Sequence, residues 1–386
     1  MPTIVRAGSS AEFLALVPHL LEYTPRSSLA VITFAAGRSV GALRVDLPDP
    51  SHAAGVDSVA STVIGMACKV SQTDAIAAVV YTDTRLRHAE TLPHRALVEA
   101  LMSRADICGL HVTHALVVGA NGWDSYLAPS ATGPQPLAEI AAPSELPPMP
   151  AVDGDQSAAA ALPVIGPTVG KAVGRLLVDA EHLVSRSPAG RRLPIHRRTA
   201  AAALLDDLSD PPALFEAAIA SESPLDAPCL AAVAFCLQRP ALRDVALMQW
   251  VGDLATGDAI YRAQFAFADG GSFPEDLARP MWGEGAKPES TRLHRALTAC
   301  RQVAAATPLA GRAGPLAACA WLAWATGRST HAAAYADHAR EIDPDHGLAD
   351  IVATLVAHAR LPEWVFERES ATSPTETGSS RGCRDR

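Results

Sequence analysis

"HALVVGANGWDSYLA", residues 114–128, decides how the chain is read. Leu116 to Ala120 form an apolar strand candidate, and Trp123 to Leu127 return as a second strand with a polar edge. Between them, Asn121-Gly122 is the pair preferred in a two-residue type I′ turn, where both positions need positive φ. An antiparallel hairpin is therefore expected. Leu116 and Val118 should pack on one face and Val117 on the other, with Trp123 and Tyr126 on opposite faces. Trp123 is expected to pack against the sheet or a covering helix. Asp124, beside the turn, is expected to reach solvent.

Working outward, "SSLAVITF" (27–34) is apolar on both faces, as a central strand would be. "AAGR" turns the chain, and "SVGALRVDLPD" (39–49) returns with alternating faces. "AIAAVVYTD" (75–83) is another buried strand, and "TIVRA" (3–7) is a short candidate first strand. Ser9 and Glu12 have capping-box spacing before a helix that Pro18 should kink or restart. Val56, Val59, Val63, Met66 and Val70 recur at helical spacing. So do Leu97, Val98, Leu101 and Ala105, with Pro93 in their first turn. Residues 1–128 thus read as an α/β domain, a mixed sheet with hairpins and helices on its faces. Residues 129–167 are rich in Pro and Ala and read as a linker, with a short helix near 137–141. Residues 168–362 carry only helical patterning and read as an all-α domain. Its helices are expected near 169–184, 199–208, 212–221, 226–238, 241–255, 290–305, 315–326, 329–342 and 346–359. The stretch 363–386 has the composition of a disordered tail.

Within 315–359 the pattern sharpens. In "GRSTHAAAYADHAREIDPDH" (327–346), Gly327, Ala332, Ala339 and Pro344 fall at the spacing of a TPR repeat. Glycine turns the chain between two helices, the alanines let the helices approach closely, and Asp343-Pro344 stops the second. The preceding helix has small Ala320 but lacks the usual tryptophan position. One TPR-like hairpin within a larger helical domain is the reading.

Composition bounds the function. At 386 residues and 49% hydrophobic, the chain has ample material for real cores. A net charge of -9 argues against a nucleic-acid protein. No signal peptide is recognisable, and no apolar run nears the roughly 18 to 20 residues that span a bilayer. A cytoplasmic protein is the expectation. Cys68, Cys108, Cys229, Cys236, Cys300 and Cys319 sit singly among apolar residues without a CxxC pair, so structural roles are expected. Cys383 lies in the polar tail.

Five segments, in order and spacing, resemble one family: "LVPHLLEYTPRSSLAVITF", "GALRVDLPD", "AAVVYTD", "HALVVGANGWDSY" and "ALRDVA". "LAWATG" and "AREIDPDHGLA" continue the resemblance toward the C-terminus. The family is an actinobacterial domain of unknown function, number 4192, and the resemblance implies a cytosolic protein with no established activity. Its members often follow the tryptophan hairpin with a cysteine-rich "CCPPxG"-like segment. Here that place reads "LAPSATGPQPL" and has no cysteine, so a metal or redox role for such cysteines is not carried over.

Asp46, Asp83 and Asp124 lie at or just past strands, where open α/β sheets bind ligands. Converging, they would hold Mg²⁺ for phosphoryl chemistry, with Arg44 and Arg85 facing a phosphate. Otherwise they cap turns and pair on the surface. Trp123 or Tyr126 would place a ring beside such a cleft. His111, His114, His331 and His338 lack a third ligand and are expected at solvent. "GRRLPIHRR" (190–198) reads as a solvated basic loop. "GPTVGKAVG" (166–174) misses the spacing and the hydroxyl of a phosphate-binding P-loop. The leading reading is a binding or scaffolding protein that uses its helical half for a protein or peptide partner, with no cofactor. The alternative is a metal-dependent enzyme acting on a phosphorylated substrate, with its site on the N-terminal sheet.

Overall fold

The computed structural model describes residues 7–88, 90–141, 152, 154–158, 160–185 and 193–367. All but Ala7 of the expected strand 3–7 lies outside them. Helix α1 (Ser10–Leu21) begins where Ser9 Oγ accepts the Glu12 N–H at 3.2 Å and the Glu12 carboxylate accepts the Gly8 N–H at 2.6 Å. It neither stops nor restarts at Pro18 but continues to Leu21.

Five strands follow: β1 (Ser28–Ala35), β2 (Arg38–Asp46), β3 (Ala75–Tyr81), β4 (His111–Gly119) and β5 (Gly122–Ser125). They form one mixed sheet in the order β2-β1-β3-β4-β5, with β3 and β4 parallel and the other neighbours antiparallel. The parallel pair needs a crossover, which is supplied through α3 (Arg95–Ile107). Helix α3 packs beside α2 (Ala53–Lys69) over Leu29, Val31, Ile76, Val80 and Val117. On the opposite face α1 covers Ala30, Ile32, Val79 and Leu116. Each fully buried Leu, Ile or Val here contributes about 1.5–3 kcal/mol.

The hairpins form as expected, but the left-handed turn is elsewhere. Ala36 and Gly37, with φ of 49° and 74°, join β1 to β2. In the β4–β5 hairpin Gly119 pairs with Gly122, so Ala120-Asn121 is the loop, and neither Asn121 nor Gly122 has positive φ. Their constraints are tertiary. The Asn121 side chain accepts from the Leu86 N–H at 2.7 Å and donates to the Leu86 carbonyl at 3.1 Å. A Cβ on Gly122 would stand 2.6 Å from the Gln135 carbonyl oxygen. That close approach lets Gln135 pair with Trp123 along the outer edge of β5.

Within 129–167 the described residues carry contacts of this kind. Helix α4 (Ala138–Ala141) lies beside α1, Asp155 bridges to Thr24, and Gln156 holds both backbone groups of Arg26. Ala160 joins the helical core.

The helical half comprises α5 (Pro167–Val184), α6 (Ile195–Asp207), α7 (Pro211–Ala220), α8 (Ala227–Leu237) and α9 (Pro240–Val251). It continues with α10 (Leu254–Ala268), α11 (Glu275–Ala278), α12 (Ser290–Ala306), α13 (Ala313–Ala325), α14 (Ser329–Ile342) and α15 (Gly347–Ala357). Helix α10 is absent from the sequence reading, although Asp253 caps it by accepting the Thr256 N–H at 2.8 Å. The basic stretch 190–198 is not a solvated loop at its end: α6 starts at Ile195, and Arg197 grips buried Asp179 with two N–H bonds. His196 and Arg198 are exposed, and Arg191 and Arg192 lie outside the described residues. Every residue of α13 is buried, Ala320 among them. Ala332 and Ala339 of α14 are both 0% exposed, and Gly327 turns the chain with φ of 80°.

Two cysteines depart from expectation. Cys68 and Cys108 are exposed, because the buried stripe of α2 runs through Ala60, Ile64 and Ala67 and Cys108 follows the last turn of α3. The expected tail, 363–386, has a buried residue near its start: Trp364 donates its indole N–H to the Ala325 carbonyl at 2.8 Å. Residues 368–386 lie outside the described ones. Among the described residues no helix is long and apolar enough to cross a membrane.

Replacing Ala332 or Ala339 with Leu should destabilise the protein by about 1–3 kcal/mol through overpacking. The exposed His338→Ala change should stay within about 0.5 kcal/mol. Urea melts of the three variants check this close packing.

Candidate functional site

Because β2 is a sheet edge, one side of its backbone has no strand partner among the described residues. Its last residues, Ala42 to Asp46, run along a cleft of about 650 Å³. The other wall is the turn between α13 and α14, Thr326 to His331, while Met66, Val356 and Leu361 add apolar surface. Arg328 donates to the Glu22 carboxylate at 2.6 Å and the Tyr23 hydroxyl donates to Thr330 Oγ1 at 3.0 Å. These bonds tie the end of α1 to the start of α14. Arg44, nearly buried, donates to Ser28 Oγ at 2.8 Å and to the Asp46 carboxylate.

His331 sits in this cleft rather than at solvent. Its ring centroid lies 5.7 Å from that of Tyr23, and Nε2 is 4.0 Å from Glu22. Glu22 is already engaged by Arg328. Burial, and then the Arg328 and Arg301 guanidiniums, push the imidazole pKa down to about 4. It is therefore a neutral polar group at pH 7. The other expected residues scatter: His338 is exposed, whereas His114 is half-buried and stacks on Phe13 at 4.8 Å between centroids.

The three aspartates do not converge. Asp46 borders the 650 Å³ cleft, engaged by Arg44. Asp83 lies past β3 on a second pocket of about 320 Å³, where Arg26 stands 3.6 Å away and Ser27 Oγ donates to it at 3.3 Å. Asp124 does not reach solvent. It is 6% exposed and accepts the backbone N–H groups of Ser125 at 2.8 Å and Ser130 at 3.0 Å. Its place beside Val117 turns it to the covered face of the sheet, where it pins the following loop. Among the described residues no group of three His, Cys, Asp or Glu side chains is placed to hold a metal ion. Arg85 is exposed in the loop after β3. Trp123 joins the α1-side cluster and Tyr126 the α2/α3-side core, where its hydroxyl donates to the Pro93 carbonyl. Sequence reasoning missed Glu22, Tyr23, Arg328 and Thr330, and no local motif marks them, since they meet only through the fold.

A family model described as a domain of unknown function (DUF4192) matches residues 11–263. No curated protein and no solved structure matches the chain.

Two outcomes are expected of these residues. Asp124→Ala leaves two backbone donors without their acceptor and should cost about 1–3 kcal/mol in urea unfolding. For His331, the unfolded chain binds a proton near pH 6.5 but the folded protein only near 4. Its contribution to stability is therefore complete above about pH 6.5 and is lost as pH falls toward 4. His331→Gln should flatten the decline of Tm between those values. The remaining slope should come from His94, His114 and His346, whose pKa values burial also lowers, and near its acid end from Glu216, whose carboxyl Arg292 holds below the usual range.

Proposed function

Since the chain belongs to the DUF4192 family, a domain of unknown function, its activity has to be read from its geometry, and we propose that it is a binding protein for an extended peptide segment. The partner adds to the free edge of β2 and fills the 650 Å³ cleft against the α13–α14 turn. The observation that carries this reading is the coincidence of a strand edge unpaired among the described residues with a cleft. Main-chain pairing supplies affinity in such strand addition, and pockets for alternate side chains supply specificity. The apolar surface of Leu43, Val45, Met66 and Val356 suits apolar side chains of the peptide, and Arg44, Arg328 and Thr330 suit a polar end.

The α13–α14 pair is read as TPR-like, and the full burial of Ala332 and Ala339 supports that. Binding is favoured over metal-dependent phosphoryl chemistry because Asp46, Asp83 and Asp124 stand in three different surroundings.

A displayed library of random dodecapeptides, selected on the full chain, tests the reading. Selected peptides should slow amide exchange at residues 42–46 and lose at least tenfold in affinity to Ala333→Trp, a substitution on the cleft wall. The Ala333→Trp protein should keep its Tm. Failure to select any peptide, or binders indifferent to Ala333→Trp, contradicts the proposal.

A further inference from the structure

The second pocket has a different character. It opens at the carboxyl ends of the parallel strands β3 and β4, the place where α/β sheets receive ligands. Its walls are mostly apolar, with Leu14 and Pro18 from α1, Val118 from β4, and Leu137 and Ile140 at α4. Thr24, Arg26, Ser27, Thr82 and Asp83 supply its polar lining. The Arg26 charge is offset by Asp83 at 3.6 Å and Asp155 at 3.7 Å. Arg26 and Asp83 balance within the lining and Asp155 adds a negative charge just outside it, so that polar side disfavours an anion.

Tyr81 also lines this pocket. It is 7% exposed, and its hydroxyl is buried without a hydrogen-bond partner among the described residues. Buried polar groups in folded proteins nearly always have a partner, because an unpaired one costs its desolvation. Burial raises the Tyr81 pKa, so the group stays a neutral hydroxyl able to donate. A second unpartnered donor lies in the same row across the sheet. Tyr81 pairs in register with Val118, Val118 pairs with Trp123, and the Trp123 indole N–H is likewise buried without a partner among the described residues. A phenylalanine would fill the space of Tyr81 without this cost. The hydroxyl is explained if something in the pocket accepts from it.

We propose that the pocket at the ends of β3 and β4 binds a small neutral carbonyl compound, with an aromatic or branched apolar body between α1 and α4 and its oxygen accepting from the Tyr81 hydroxyl. A volume of about 320 Å³ accommodates a one- or two-ring molecule. The two carboxylates beside Arg26 exclude a carboxylate or phosphate as the preferred head, and the Tyr81 donor calls for an acceptor. This site is separate from the cleft at the edge of β2 and stands or falls without it.

The test compares matched probes on the full chain by saturation-transfer NMR titration. Acetophenone and 2-acetylnaphthalene carry the acceptor, and ethylbenzene and 2-ethylnaphthalene keep the shape without it. At least one ketone should bind about three- to tenfold more tightly than its hydrocarbon partner, the range one net hydrogen bond provides. Tyr81→Phe should abolish that preference while leaving hydrocarbon binding intact. Leu137→Trp, at a partly exposed wall position, should weaken both probes at least tenfold. Equal binding of ketone and hydrocarbon, the result for a hydroxyl served only by water, overturns the proposal, as does failure of every probe to bind. Stability supplies an independent reading. Tyr81→Phe removes an unpaired hydroxyl and should leave Tm unchanged or raised. A clear loss of Tm would mean that the hydroxyl has a protein partner, and the proposal would fail.

Discussion

The constraint on which the molecule depends is the burial of β1 and β3 on both faces. A strand apolar on both sides must be covered twice, and the chain supplies α1 to one face and the α2–α3 pair to the other. Covering β3 through a crossover makes β4 its parallel neighbour, so the carboxyl ends of both strands fall on one side of the sheet. The end of β2 and the start of β1 share that side, because β1 runs antiparallel to both its neighbours. Both cavities described above follow from this arrangement. One lies where the parallel strands end, and the other lies where the sheet stops at β2.

The two halves of the chain meet along the same side. Glu22 and Tyr23, just past α1, hold Arg328 and Thr330 at the start of α14. Exposed ion pairs contribute little by themselves, and the Glu22–Arg328 bond is partly exposed. Its effect is positional: with the Tyr23 hydroxyl it sets how far the helical turn stands from the edge strand. Two hydrogen bonds between residues about three hundred positions apart in the chain thus join the walls of the cleft.

Much of the fold was legible because its signals are local. The apolar runs at 28–35 and 75–81, the alternation along 39–46 and the small residues of α14 each state a local requirement directly. The hairpin at 114–126 was legible too, but its chemistry was misassigned. Asn121-Gly122 has the composition of a left-handed turn, yet Asn121 is spent on Leu86 and Gly122 on the approach of Gln135. Asp124 was expected at solvent since aspartate usually is, and only the pairing with Val117 reveals that it faces inward. The unpartnered hydroxyl of Tyr81 leaves no trace in sequence, because a tyrosine in an apolar strand reads the same whether or not its oxygen has a partner. Helix α10 was lost for a simpler reason: Gly257 and scattered polar residues interrupt its period, although Asp253 marks its start.

One bond gives the order of synthesis a physical meaning. The Ser71 N–H, just beyond α2, donates to the carbonyl of Phe366, and the Phe366 ring lies 5.7 Å from the Lys69 ammonium. On a ribosome moving at about 5–20 residues per second, Ser71 is made tens of seconds before Phe366. Once Ser125 has been made the sheet domain has the strands β1 to β5, but the surface after α2 still waits for its last neighbour. The nascent protein thus passes through a stage in which a complete sheet coexists with an unfinished seam, and closure of that seam reports that translation has reached Phe366.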